Sequence, residues 1–270
     1  MLHIGNNVDL GAWHLEPSVI AGAFVAISFY TYGAMSLKAA IPLWRAASYF
    51  AGVVIIFLAL VSPLDSAAGR LLSMHMLQHV ALTTVGPPLL LLGLTPALLD
   101  PLLRPSLIAR LAATVTHPVV GGTFFIVNMW FWHVPPIYGA ALDHLAIHIT
   151  MHVAFMASGI LFWWPVIQPS TLTGRLSEGA RLLYLFATGM PMGLLALLLF
   201  ASNGVVYHYY ETVRPLWGIS PKDDQQIAGL VMGALGEMAS FAAITLLFFR
   251  FLDREEAAAM AAVPGRTDAR

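Results

Sequence analysis

Seven apolar stretches dominate this chain, at Pro17–Leu37, Arg45–Ser62, Leu71–Leu94, Pro118–His133, His144–Ile167, Ala180–Ala201 and Gln225–Phe249. A helix needs about 20 apolar residues to cross a bilayer, and hydrocarbon leaves its backbone no hydrogen-bond partner but itself. The sequence therefore predicts an all-α polytopic membrane protein, a seven-transmembrane-helix bundle. Composition agrees, with 59% hydrophobic residues, 10% charged and a mean hydropathy of +0.77, against roughly 25% charged in a soluble domain. Residues 1–252 are expected to form one transmembrane domain, and 253–270, rich in Ala and charge, a short cytoplasmic tail that frays. Met1–Glu16 carries no Lys or Arg, so the first stretch is expected as a retained helix rather than a signal peptide.

Orientation follows from Lys and Arg, which stay on the cytoplasmic side of short loops. With the N-terminus outside, the cytoplasmic segments hold Lys38, Arg45, Arg104, Arg110, Arg175, Arg181, Arg250, Arg254, Arg266 and Arg270, ten of the thirteen basic residues. Arg70, Arg214 and Lys222 fall outside, and the C-terminus is cytoplasmic. The fourth stretch is short and runs into Pro135-Pro136, a loop breaker. Dropping it would put Arg175, Arg181 and the C-terminal basic residues outside, so the charge pattern keeps it. A net charge of −1 with no basic patch gives no sign of a nucleic-acid partner. The absence of Cys excludes disulfides and thiolate metal sites, leaving His and Met as soft-metal ligands.

Nine of the ten histidines fall on the expected outer side, all but His117. His75 and His79 stand at i,i+4 spacing at the start of the third helix, about one turn apart on one stripe. His148 and His152 repeat that spacing in the fifth helix, where His144 extends the stripe, and His133 ends the fourth at the same level. Paired imidazoles on two facing helices could hold a metal ion, and ionisable residues inside a membrane tend to face a functional interior. Imidazole suits copper, zinc or iron; thioethers select cuprous copper. Met74, Met76, Met151 and Met156 flank the histidines, although Met also fills core gaps. Plain hydrogen bonding to carbonyls or headgroups is the reading preferred for His3, His14, His117 and His208.

Three carboxylates stand out. Glu237 lies near mid-depth of the seventh helix, where it must be protonated, paired or part of a polar path. Asp65 could orient a ligating imidazole or act as a turn residue. Asp224 opens the seventh helix, where a carboxylate suits the positive end of the dipole.

Ser62–Asp65 with His75-Met76-Leu77-Gln78-His79, Pro87-Pro88 with Gly93, Trp130-Phe131-Trp132-His133-Val134-Pro135, His148 to His152, Phe162-Trp163-Trp164-Pro165, Asp224-Gln225 and Trp13-His14-Leu15-Glu16-Pro17 together resemble the CtaG-type cytochrome c oxidase assembly factors, of the caa-oxidase branch. The resemblance covers about residues 13–250. It implies a seven-helix protein of the bacterial inner membrane that helps haem–copper oxidases mature by helping copper reach the catalytic subunit. The mechanism expected here is that cuprous copper arrives from a periplasmic carrier and passes to that subunit by ligand exchange. His75, His79, His133, His148 and His152 match the family's histidine motifs and would hold copper near the periplasmic face. Asp65 and Asp224 match its motif carboxylates; His144, Met74, Met76 and Met151 are expected as auxiliaries from their positions beside the histidines. The chain departs from the family at Gly233, where Trp is frequent.

The role implied is not enzymatic. An intramembrane zinc hydrolase built from these histidines with Asp65, Ser62 and Ser73 stays open, as do a haem carrier and an assembly scaffold without a metal. A retinal-type receptor is disfavoured, since the seventh helix has no Lys for a Schiff base. Small pairs such as Gly121-Gly122 and Ala140-Ala141 permit close helix packing, including a homo-oligomer, without establishing one.

Overall fold

A computed structural model of the chain describes residues 13–37, 40–214 and 216–262. His3, Lys38, Arg266 and Arg270 lie outside the described residues. The fold is all-helical, 81% helix, with no strand among the described residues. Its helices are α1 (Pro17–Ser36), α2 (Leu43–Val61), α3 (Pro63–Ala68), α4 (Leu72–Gly93), α5 (Pro96–Leu103), α6 (Ser106–Val115), α7 (Pro118–Trp132), α8 (Pro135–Asp143), α9 (Leu145–Ile167), α10 (Glu178–Ala201), α11 (Tyr209–Thr212) and α12, which starts as Pro221–Leu230 and runs on to Ala262.

Local chemistry sets where these helices start. Pro occupies the first turn of α1, α3, α5, α7, α8 and α12, where its missing N–H costs nothing. Ser62, Ser177 and Ser220 cap α3, α10 and α12 by accepting backbone N–H groups. His117 does the same for α7, accepting from Val119 N at 3.3 Å.

Among the described residues six helices, α1, α2, α4, α9, α10 and α12, are long and apolar enough to cross a membrane. The fourth expected stretch is different. Its helix α7 has 15 residues, about 22 Å of rise against about 30 Å of hydrocarbon, and reaches span length only together with α6, from which it is bent by 56°. The break falls at Thr116-His117-Pro118, because Pro118 restrains the residue before it and cannot donate to the preceding turn. The spans thus number six, or seven with the bent pair counted as one. At the far end, residues 253–262 continue α12 where a fraying tail was expected. Its alanines favour helix, and Arg254 Nε lies 3.3 Å from Glu178 Oε1 of α10.

Burial ranks the helices. Of the spans, α4 is the innermost, 67% buried, while α1 is 6% buried and presents Phe24 and Val25 outward. The main core gathers Phe125, Phe155, Phe162, Trp163, Leu185 and Leu195 from α7, α9 and α10. Gly159 of α9 brings that helix onto α4, since a Cβ there would meet the Thr83 carbonyl oxygen at 2.6 Å. Two helices carry a π-helical turn, α4 at Ala81–Val85 and α12 at Val231–Leu235, and the two helices pack together there. In α4, Thr83 Oγ1 donates to His79 O at 2.6 Å and Thr84 Oγ1 to Val80 O at 2.9 Å, covering carbonyls where the ladder changes register.

Gly159→Ala is expected to cost about 1–3 kcal/mol in thermal unfolding of the detergent-solubilised protein. Gly193→Ala, which meets no atom within 4 Å, serves as its neutral partner. Equal melting of the two variants would contradict the close α4–α9 contact.

Candidate metal centre

Helix α4 carries two of the paired histidines, and neighbouring helices fix its position. Its N-cap residue, Leu71, has no side chain that can cap. Asp224, buried in the first turn of α12, reaches across instead and accepts from Leu72 N, Ser73 N and Ser73 Oγ. The adjacent Gln225 donates to Leu199 O and Gly204 O and accepts from Val206 N at 2.6 Å, tying down the end of α10. One turn past His75, Gln78 Nε2 donates to Ala59 O at 2.8 Å and to Asp65 Oδ1 at 2.9 Å, joining α4 to α2 and α3.

These ties bring five imidazoles together at one end of the bundle. One ring nitrogen each from His75, His148 and His152 lie within 4.8 Å of one another, a spacing that one metal ion could bridge. His148 Nε2 and His152 Nε2 are 3.1 Å apart. His75 Nε2 and His148 Nδ1 are buried without a partner. His75 Nδ1 lies 3.4 Å from the Tyr210 hydroxyl, which also reaches Ala68 O at 3.2 Å and the Tyr138 hydroxyl at 2.9 Å. With the hydrogen of His75 on Nδ1, that contact is a donation to the Tyr210 oxygen, and the Tyr210 proton goes to Ala68 O or Tyr138 Oη. That leaves the Nε2 lone pair of His75 free for a ligand. Burial above all pushes the Tyr138 and Tyr210 hydroxyls well above their ordinary range, so both stay protonated in the network. Tyr207 Oη donates to His133 O at 2.9 Å and completes this tyrosine layer over the cluster.

The expected i,i+4 pairs meet but divide differently. His75 joins both α9 histidines, while His79, one turn deeper, has its ring centroid 6.1 Å from that of His133 and 5.8 Å from that of His152. His133 Nε2 faces Met76 Sδ at 3.5 Å. Met151 is fully buried in the apolar core, Met74 is half-buried, and His144 is exposed at the N-cap of α9, outside the cluster. Asp65 contacts His14 at 3.5 Å and accepts from Gln78, and it hydrogen-bonds no imidazole of the cluster. Asp224 does cap, but it caps α4 while Ser220 caps its own helix. His117 and His208 make ordinary local bonds, to Val119 N and Glu211. Tyr138, Tyr207 and Tyr210 escaped the sequence reading, and Gln78 stood in its motif without a role. The run Tyr207-His208-Tyr209-Tyr210 between two spans was the available signal.

The sequence model of the family described as cytochrome c oxidase caa3 assembly factor matches residues 28–254. Curated relatives include an uncharacterised protein of Mycobacterium leprae, 24% identical over 92% of this chain and 40% of its own length. Uncharacterised proteins of Mycobacterium bovis and Mycobacterium tuberculosis are each 24% identical over 88% of this chain and 39% of theirs. The chain thus spans about two-fifths of the length of these relatives. No solved structure matches it.

Asp224→Ala should destabilise the protein by about 2–4 kcal/mol, since it strips a buried charged acceptor from the N–H groups at the head of α4; thermal unfolding in detergent measures this, and an unchanged midpoint would refute the cap. Tyr210→Phe keeps the ring but releases His75 Nδ1. Metal retention should then fall about 10–100-fold in chelator competition, with the melting temperature little altered.

Proposed function

The chain belongs to the cytochrome c oxidase caa3 assembly factor family, and we propose that it assists oxidase maturation by carrying copper at the centre formed by His75, His148 and His152. The observation that carries this reading is the convergence of three imidazole nitrogens within 4.8 Å inside a membrane protein. Copper is cargo here. A cuprous ion suits a donor set of neutral imidazoles with thioethers nearby, and a three-nitrogen site leaves one position open for transfer to an incoming ligand. His148 is only half-buried, so it forms the mouth, whereas His75 and His152 form the floor at 1% and 8% exposure.

In this reading the N-terminus lies outside and the cluster faces the periplasm of the cell inner membrane. Cuprous copper arrives from a periplasmic carrier, exchanges onto His148 and His152, is completed by His75, and leaves by ligand exchange to histidines of the oxidase catalytic subunit. The tyrosine layer holds His75 in its ligating tautomer, and Asp224 holds the helix that bears it. The role is that of an assembly factor without bond-making chemistry. The hydrolase alternative gives Asp65 the task of orienting or activating water, whereas that carboxylate is engaged with Gln78 and His14.

Anaerobic cuprous loading of the detergent-solubilised protein tests this. The wild-type chain should retain copper after desalting, the His148→Ala/His152→Ala variant should lose the ion bound at this centre, and cells carrying that variant should make oxidase deficient in copper. A variant that leaves both copper retention and oxidase copper unchanged would sink the carrier role. Zinc or haem copurifying in place of copper would sink the cargo.

A further inference from the structure

Inward of the three-histidine centre, α4, α7, α9, α10 and α12 enclose a cavity lined by Met76, His79, His133, Met192, Met232 and Glu237, among others. The space open to the centre of a water-sized sphere is about 40 Å³, a few times the roughly 10–15 Å³ that one small guest requires. Its walls are mostly apolar, so the polar atoms on them matter.

His133 Nδ1 lies 2.7 Å from Met129 O. A carbonyl can only accept, so Nδ1 carries the hydrogen and the neutral ring has its lone pair on Nε2. That lone pair faces Met76 Sδ at 3.5 Å, a thioether with no hydrogen to give. Two electron-pair donors therefore confront each other across a gap that no proton bridges. A tetrahedral ion with bonds of about 2.0 Å to nitrogen and about 2.3 Å to sulfur places those two donors about 3.5 Å apart. His79 lies on the same wall at 2% exposure, and both its ring nitrogens are buried without a partner. Its ring centroid is 4.3 Å from that of His75, so it stands between the two groups.

A cation among neutral ligands in this interior carries an uncompensated charge, which hydrocarbon penalises heavily. The cavity supplies one carboxylate, Glu237, which bonds Ser240 and faces Gly189. The lack of a side chain at Gly189 leaves that carboxylate its room, since a Cβ there would lie 3.3 Å from Glu237 Oε2.

We propose that His133, Met76 and His79 form a second station for a soft monovalent cation, deeper in the bundle than the three-histidine centre, with Glu237 on the cavity wall as its counter-charge. The station rests on the reading that the outer centre handles cuprous cargo. It gives that cargo an inner stop, with His79 as the link.

Silver(I), a redox-inert analogue of cuprous copper, tests it by counting ions per chain after loading and desalting. The wild type should hold two. Glu237→Gln, which keeps the shape and removes the charge, should hold one, and so should Met76→Leu, with loss of the sulfur shell in the X-ray absorption spectrum. His148→Ala/His152→Ala should also hold one, with its sulfur shell intact. Size-exclusion profile and helical circular dichroism certify each fold, and the near-isosteric Glu237→Gln carries the test if Met76→Leu fails them. A single wild-type ion that only the His148/His152 variant loses, or two ions and a sulfur shell indifferent to Glu237→Gln and Met76→Leu, overturns the second station and leaves the proposed function standing. A single ion lost from Met76→Leu but kept by the His148/His152 variant does the reverse, and none at all overturns both.

Discussion

The first turn of α4 presents backbone N–H groups with no carbonyl above them, and the Asp224 carboxylate of another helix receives them. At the other end Arg45 of α2 donates to Leu92 O and Leu94 O at 3.0 and 3.1 Å. An anion at the head and a cation at the tail complement the helix dipole, and both come from neighbours. With Gln78 bonded to Ala59 and Asp65 between them, the innermost helix is fixed in height and rotation. The histidine geometry follows, because a turn of α4 about its axis would carry His75 away from His148 and His152.

Buried imidazoles without partners are costly in a low-dielectric interior. This protein accumulates several, among them His75 Nε2 and both nitrogens of His79, while hydrogen bonds tie the hydroxyls and amides that surround them. Tyr210, Tyr207 and Gln78 each reach a backbone carbonyl, and Asn128 bonds both Ser158 and Trp132. A starved centre held by a bonded frame is the pattern of a preorganised binding site.

Much of this was legible in the chain. Apolar length located six spans, and i,i+4 spacing located the imidazoles that meet, because both follow from the 1.5 Å rise and 3.6-residue turn of a helix. The division of the histidines was not legible. Whether His75 or His79 joins α9 depends on how far α9 slides along α4, which Gly159 decides through a contact with Thr83. Long-range partners were equally invisible. Asp224 looked like the cap of its own helix, since sequence supplies only neighbours in the chain, and the tyrosines after α10 sat in a loop with no periodicity to interpret. The bent fourth span was half legible: Pro118 was in view, but the angle comes from packing.

The π-helical turns of α4 and α12 carry a different kind of consequence. Each amounts to one residue more than an α-helix needs for the same rise, so the stretches on either side of it are out of phase by roughly 100°. In α4 the turn at Ala81–Val85 separates the part that bears His75 and His79 from the part that packs on α2 through Gly86 and Gly93. In α12 the turn at Val231–Leu235 separates Asp224 from Glu237. A one-residue deletion within either turn would therefore leave a chain that is still hydrophobic, still helical and still long enough to span. Both halves would still face their own neighbours, since the residue lost is the one the widened turn absorbs, whereas the same deletion one turn outside would swing one half away by roughly 100°.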